Sequence, residues 1–219
     1  MPEQQAGKGA RGSWKQDPEA VQADILRAAT ELFAERGLSG ARIEEIAART
    51  RTSKRMIYYY FGDKDRLWAR VLETAYARVR AGEAELRLEG LDPEAALARL
   101  VEFTFDHHRR NPDFIRLVMI ENVHHAEHLS RSELIGDLNA EAIERLRGIL
   151  ARGESAGVFR PGLDPEALHW TISALSFFNV SNRPTFSALF GDRLFTEDGQ
   201  AALRAQAVET VAAIARKTP

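Results

Sequence analysis

ILRAATELFAERGLSGARIEEIAARTRTSKRMIYYYFGDKDRL, residues 25–67, carries three apolar stripes at helical spacing with two short breaks between them. The first stripe begins just upstream: Val21, Ile25, Ala28, Ala29, Leu32 and Phe33 recur every three or four residues, as on one face of a helix. Gly37 sits where that helix should stop. The second stripe offers Ile43, Ile46 and Ala47. The third starts at Ser53 and buries Ile57, with Met56 beside it. Only about three residues, Arg51 and its neighbours, separate the second and third helices. Two short helices joined this tightly cross steeply, which is helix-turn-helix geometry. The second helix of such a pair can enter a DNA major groove with its N-terminal residues on base edges.

The outward residues suit that task. Lys54 and Arg55 can neutralise phosphates or reach guanine acceptors. Tyr58, Tyr59 and Tyr60 supply hydroxyl donors, although Tyr60 or Phe61 should pack inward against the first helix. Thr52 and Ser53 stand at the start of the third helix and Arg42 at the start of the second. Lys64 lies near the start of a fourth helix, where free N–H groups also favour a phosphate. The competing reading makes the bases a solvated face of a plain helical subdomain.

Charge points the same way. Residues 1–70 hold 13 bases and 10 acids, whereas the remainder holds 17 bases and 22 acids, within a chain of net charge −2. A basic end on an acidic chain suggests a polyanion partner for that end alone. The chain of 219 residues is 44% hydrophobic and 28% charged, the balance of a soluble globular protein. It contains no cysteine, which excludes disulfides, thiolate metal sites and cysteine nucleophiles and fits a reducing cytosol. No targeting segment is visible. The most apolar stretch, 168–180, is too short and polar to span a bilayer. A cytoplasmic location is expected.

The whole chain reads as all-α, with about nine helices near 18–36, 43–50, 53–60, 63–88, 93–109, 112–125, 131–156, 165–182 and 197–216. Asp17-Pro18-Glu19, Asp92-Pro93-Glu94 and Asp164-Pro165-Glu166 each set a capping carboxylate before a proline and an acid in the first turn. Asn111-Pro112-Asp113 repeats the logic with an amide. Ser130 with Glu133 reads as a capping box. Residues 1–17 look like a flexible arm whose Lys8, Arg11 and Lys15 either hang free or track a minor groove. Residues 183–196 look like an ordered loop.

Beyond residue 63 no nucleotide loop, Ser-x-x-Lys or His-Glu-x-x-His motif occurs, so neither enzyme activity nor a cofactor is expected. Aromatic walls with a few convergent polar groups are how small-molecule pockets are built. Phe105, His108, Met119, Glu121, Asn122, Trp170, Phe178 and Asn179 are the candidates. His124 with His128, and Glu121 with His125, lie four apart and could hold a metal on a continuous helix. They read instead as helix-end and surface residues, with no metal expected.

The pattern Ile25-Leu26-x-Ala28-Ala29-x-x-Leu32-Phe33-x-x-x-Gly37, Ile43-x-x-Ile46-Ala47, Ser53-x-x-x-Ile57-Tyr58-x-Tyr60-Phe61-x-x-Lys64-x-x-Leu67 resembles the N-terminal domain of the TetR family. The resemblance implies a homodimeric repressor with a helix-turn-helix domain at 18–62 and a ligand-binding and dimerisation domain at 63–219. It would bind a palindromic operator and be released by a small-molecule effector. Two positions depart from the family pattern. Arg42 stands where Thr or Ser usually caps the second helix, though arginine can still reach a phosphate. Arg51 stands where the turn usually has Gly, and a left-handed conformation there would cost about 1 kcal/mol. The resemblance also makes the last two long helices a four-helix dimer interface, with Leu168, Thr171, Ile172, Leu175, Leu203, Val208 and Ala212 as candidates. The segment 173–183 resembles a subgroup that regulates degradation of nitrogen heterocycles such as nicotinate or pyrimidines. That implies a small heteroaromatic or acidic effector with Arg183 or His108 as its partner. A DNA-binding protein without an effector, or an enzyme using His108 and Glu121, are the other readings.

Overall fold

Three Asp-Pro starts set the helical frame. In a computed structural model that describes residues 17–217, Asp17 accepts from the N–H groups of Glu19 and Ala20 at 3.1 and 3.0 Å. Asp92 caps Ala95 and Asp164 caps Glu166, each at 2.9 Å. Each cap satisfies a donor that would otherwise be orphaned at the helix start. The arm bases Lys8, Arg11 and Lys15 lie outside the described residues.

The described residues form α1 (Pro18–Gly40), α2 (Ile43–Ala48), α3 (Lys54–Phe61), α4 (Lys64–Ala84) and α5 (Pro93–Arg110). They continue with α6 (Pro112–Val123), α7 (Glu133–Ser155), α8 (Pro165–Ser181), α9 (Arg183–Phe190) and α10 (Glu197–Ala215). The all-α expectation holds, with ten helices rather than nine among the described residues. They divide into two units, one ending at Leu72 and the other beginning at Glu73.

In the first unit every residue of the expected α1 stripe is buried, from Val21 to Phe33. Ile43, Ile46, Ile57 and Phe61 are buried as well, and so are Leu67, Trp68, Val71 and Leu72 of α4. Phe33 and Trp68 pack edge to face at 5.1 Å. The helix at Gly37 breaks at a positive φ of 71°.

In the second unit α5 is central and packs on α7, α8 and α10. Leu97, Leu100, Val101 and Phe105 meet Leu146, Ile149, Leu150, Leu168, Ile172 and Val211. The ring of Phe159, 2% exposed, sits against Gly153, whose Cβ would lie only 1.9 Å from the ring.

Three local expectations are corrected, and the open question of Arg51 is answered. Ser132, not Ser130, caps α7, accepting from the Ile135 N–H at 3.3 Å; Ser130 lies in a 3-10 turn. Asn111 does not cap α6; its Nδ2 donates back to the His107 carbonyl at 2.8 Å and finishes α5. Residues 183–190 are helical where a loop was expected, because Pro184 at the first turn is compatible with a helix start. Arg51 does not strain its turn: the positive-φ non-glycine residues among the described ones are Arg87, His125 and Ala126.

Candidate functional site

The first unit exposes one polar, aromatic face. α3 turns Lys54, Arg55, Tyr58 and Tyr59 to solvent, with Tyr59 75% exposed, and buries Ile57 and Phe61. Phe61 is therefore the inward member of the aromatic run. Tyr60 is half-buried and meets the Tyr59 ring edge-on at 5.1 Å. Lys54 pairs with Glu44 of α2 and lies 5.7 Å from the centre of the Tyr58 ring. The Glu44 carboxylate holds that ammonium above the usual lysine range. A phosphate contact by Lys54 thus means exchanging Glu44 for the phosphate.

The capping side is less regular. Arg42 precedes α2 and its side chain makes no cap bond; instead its N–H donates to the Glu45 carboxylate at 3.2 Å. Ser53 starts α3 without a side-chain cap, and the N–H of half-buried Thr52 donates to the Thr50 hydroxyl at 3.3 Å. Both leave their own hydroxyls available to an outside acceptor. Lys64 is half-buried and donates to the Ala41 carbonyl at 3.3 Å, steadying the entry to α2.

The residue that holds the turn was missed by sequence reasoning. The carboxylate of Asp24, on α1, accepts from the Arg51 backbone N–H at 3.0 Å and from the Arg27 guanidinium at 2.8 Å. Burial pushes that carboxyl up, but the two donors outweigh it and hold it below its usual range. The only signal was a lone acid beside an apolar stripe. Asp24→Ala should cost about 2 kcal/mol, the worth of a hydrogen-bonded charge. Urea unfolding checks this.

The second unit holds a cavity of about 430 Å³ walled by α4, α5, α6, α7 and α8. His108, Asn122 and Trp170, all expected ligand residues, line it together with Tyr76, Arg80, Glu83, Asn139 and His169. Arg80 is fixed by Glu83 at 2.5 Å and by the Asn139 side-chain oxygen at 2.7 Å, and Arg145 approaches the same carboxylate at 3.5 Å. Two buried polar atoms on this wall have no hydrogen-bond partner in the protein, Arg80 Nε and His108 Nδ1. Buried groups are rarely left so. Burial drives the His108 imidazole down to about 4, helped by His107 and Arg80 and opposed by a bond to the Ser176 backbone. Burial and the Arg80 charge bring His169 to about 4 as well. Both rings are neutral at pH 7. His108 Nδ1 is open to a bound molecule, as donor or acceptor according to tautomer. The wall therefore presents a spare guanidinium donor and a spare ring nitrogen.

The other expected ligand residues lie elsewhere. Phe105, Phe178 and Asn179 line a separate apolar cavity between α5, α8, α9 and α10. Met119, Asn179 and Arg183 border a third, with Arg109, Arg110 and Arg116. Asn179 is tied reciprocally to Gln200 at 2.9 and 3.0 Å. Glu121 is buried, but its carboxylate accepts from the N–H groups of His128 and Leu129 and pairs with His128 Nδ1. It holds the α6–α7 link rather than a cavity wall. Because α6 ends at Val123, His124 and His128, and Glu121 and His125, do not share a continuous helical face.

Among the expected interface residues, Leu168 and Ile172 are buried in their own core. Thr171, Leu175, Leu203, Val208 and Ala212 are half-buried. The outward face carries Ala167, Trp170 and Phe178 on α8, and Ala201, Ala202, Ala205 and Ala213 on α10. No helix among the described residues is long and apolar enough to cross a membrane.

Comparison with known proteins covers both units. Residues 25–71 match the model of bacterial regulatory proteins of the tetR family, and residues 93–211 match the tetracyclin repressor-like C-terminal domain. The chain is 37% identical over 186 residues to the HTH-type transcriptional repressor NicS of Pseudomonas putida, covering 85% of this chain and 88% of that protein. It is 31% identical over 173 residues to the HTH-type transcriptional regulator RutR of Escherichia coli K12, covering 79% and 80%. A solved structure of a putative transcriptional regulator, SCO4942 from Streptomyces coelicolor, superposes with a TM-score of 0.67 at 27% identity, covering 89% and 98%.

Proposed function

The chain belongs to the TetR family of bacterial regulatory proteins, and from that premise we propose that it is a homodimeric, effector-released transcriptional repressor acting in the cytoplasm. The helix-turn-helix domain, 18–62, binds a palindromic operator. The remainder, 63–219, binds the effector and the second copy. The carrying observation is the α4–α8 cavity, whose buried Arg80 Nε and His108 Nδ1 lack partners. They suit a small heteroaromatic or acidic molecule that gives an acceptor to Arg80 and a hydrogen-bonding partner to His108. Tyr76, Asn122, Ser173 and Trp170 complete the wall.

On the operator, Arg55, Tyr58 and Tyr59 read or line the groove. Arg42, Thr52, Ser53, Lys54, Tyr60 and Lys64 hold phosphates. The two recognition helices of a dimer then meet half-sites about one DNA turn apart, as a palindrome requires. α4 carries core residues Leu67 and Trp68 near one end and cavity residues Tyr76, Arg80 and Glu83 near the other. A ligand with different affinities for two arrangements of α4 shifts the operator-binding population. On the second copy's side, the outward face of α8 and α10 is the interface.

The test is operator selection with the full chain, then a ligand screen against that complex. Arg55→Ala should weaken binding by about 1–3 kcal/mol, and Lys64→Ala should lower the salt slope by about one. Unchanged affinity in both overturns the docking face. Operator binding that no small molecule relieves, with no ligand heat on the free protein, overturns the effector and leaves a plain DNA-binding protein.

A further inference from the structure

Beyond residue 70 the chain carries 22 acids against 17 bases, yet one cleft of the second unit reverses that balance. The cleft, of about 680 Å³, collects Arg109, Arg110, Arg116 and Arg183 against a single lining acid, Glu197. None of the four guanidiniums is closely matched. Arg109 lies 3.6 Å from Glu197, Arg110 lies 3.7 Å from Asp106, and Arg116 lies 3.6 Å from Asp113. All three separations are too long for a hydrogen bond. The Glu197 side chain is 93% exposed, and Asp106 is held more closely by Arg204, at 3.3 Å. Arg183 rests against the Phe195 ring, 5.4 Å from its centre, and pairs with no carboxylate among the described residues. The helices α6 and α9 both begin on the border of the cleft, at Pro112 and Arg183, and neither start has a side-chain cap. Their dipoles add positive potential to that of the four side chains. Asn179 and Gln200, nine-tenths or more buried and tied to each other, make a fixed polar border. Asn179 Nδ2 gives one hydrogen to Gln200 and keeps the other for an outside acceptor.

We infer that this cleft binds a small polyanion, a molecule carrying two or more carboxylate or phosphate charges, at a site separate from the α4–α8 cavity. No residue lines both. The planar fork of a guanidinium matches either oxyanion and forms charge-assisted bonds of about 2.7–2.9 Å, shorter than any carboxylate contact the four now make. A monoanion leaves most of the positive charge unanswered, so the site selects for multiple charge.

Calorimetric titration of the full chain with citrate, pyrophosphate and acetate, at matched ionic strength, tests the site. Saturable binding is expected for citrate or pyrophosphate and not for acetate. Citrate alone marks a carboxylate ligand and pyrophosphate alone a phosphate one; either supports the site. Arg109→Gln/Arg183→Gln should weaken that binding at least about tenfold, as loss of charge-assisted bonds requires. Arg116→Gln, at a side chain 57% exposed, should weaken it in the same direction and serves where the double variant does not fold. Lys54→Gln/Arg55→Gln, on the DNA-facing helix, and His108→Gln, in the α4–α8 cavity, should leave it unchanged. Absence of saturable binding by both polyanions overturns the site. So does binding that survives the arginine substitutions, or that falls equally with Lys54→Gln/Arg55→Gln or His108→Gln.

Discussion

Arg80→Met is expected to cost the fold about 3–5 kcal/mol, the usual penalty for removing one partner of a buried charge pair. Glu83 is only 3% exposed and takes its shortest contact, 2.5 Å, from Arg80. Arg145 remains at 3.5 Å, which compensates in part. The physical claim is that the loss comes from a stranded carboxylate and not from a missing attraction. Arg80→Met/Glu83→Gln should therefore recover most of it, since replacing both charges removes the stranded group. Urea unfolding at fixed protomer concentration reads both variants. If the double variant is no more stable than the single one, the stranded charge is not the cause. Effector binding should fail in both, because each lacks the guanidinium Nε–H.

The second large effect is acid sensitivity. His108 and His169 sit near 4 in the folded protein against 6.5 for an ordinary histidine. Between those values the unfolded chain binds protons that the folded chain refuses, so stability falls as pH falls. Above pH 6.5 both states are neutral and the contribution is complete. By pH 4 it is gone, at roughly 3 kcal/mol for each ring. The carboxylates act lower: Asp24, held below its usual range, gives up its contribution only as pH falls below about 4. The histidine window is therefore separable. Unfolding midpoints at pH 7.5, 6 and 5 should drop steeply for the parent and much less for His108→Gln/His169→Gln. Equal slopes would mean that the two rings titrate normally.

The first unit was legible because its information is local. Spacing of Ile25, Leu32, Ile46 and Ile57 fixes which faces are buried, and caps such as Asp17 act within three residues of themselves. What escaped was contact across long separations. Asp24 reaches Arg51 across 27 positions, and Arg80 reaches Asn139 across 59. Neither spacing has a period to detect. The cavity was half visible for the same reason. His108, Asn122 and Trp170 advertise themselves as polar or aromatic residues on apolar helices, whereas Arg80 and Glu83 look like solvated helix charges until α7 is placed beside them. Glu121 misled because a buried acid on an apolar helix can face a cavity or tie down a loop, and only the backbone path of 124–129 decides between them. Leu168 and Ile172, expected at the dimer interface, are buried within the protomer. α8 is apolar on nearly every side, so its sequence does not say which side the core takes.

The ring of Phe159 resting on Gly153 has an evolutionary consequence. The glycine is helical and needs no unusual backbone, so nothing in its own conformation forbids another residue. What forbids it is the ring 1.9 Å from where a β-carbon would stand. A change at 153 alone collides with the ring, and a smaller residue at 159 alone leaves a hole. A larger residue at 153 is expected to be accepted only alongside a smaller one at 159, so the two positions act as one inherited character spread over two codons.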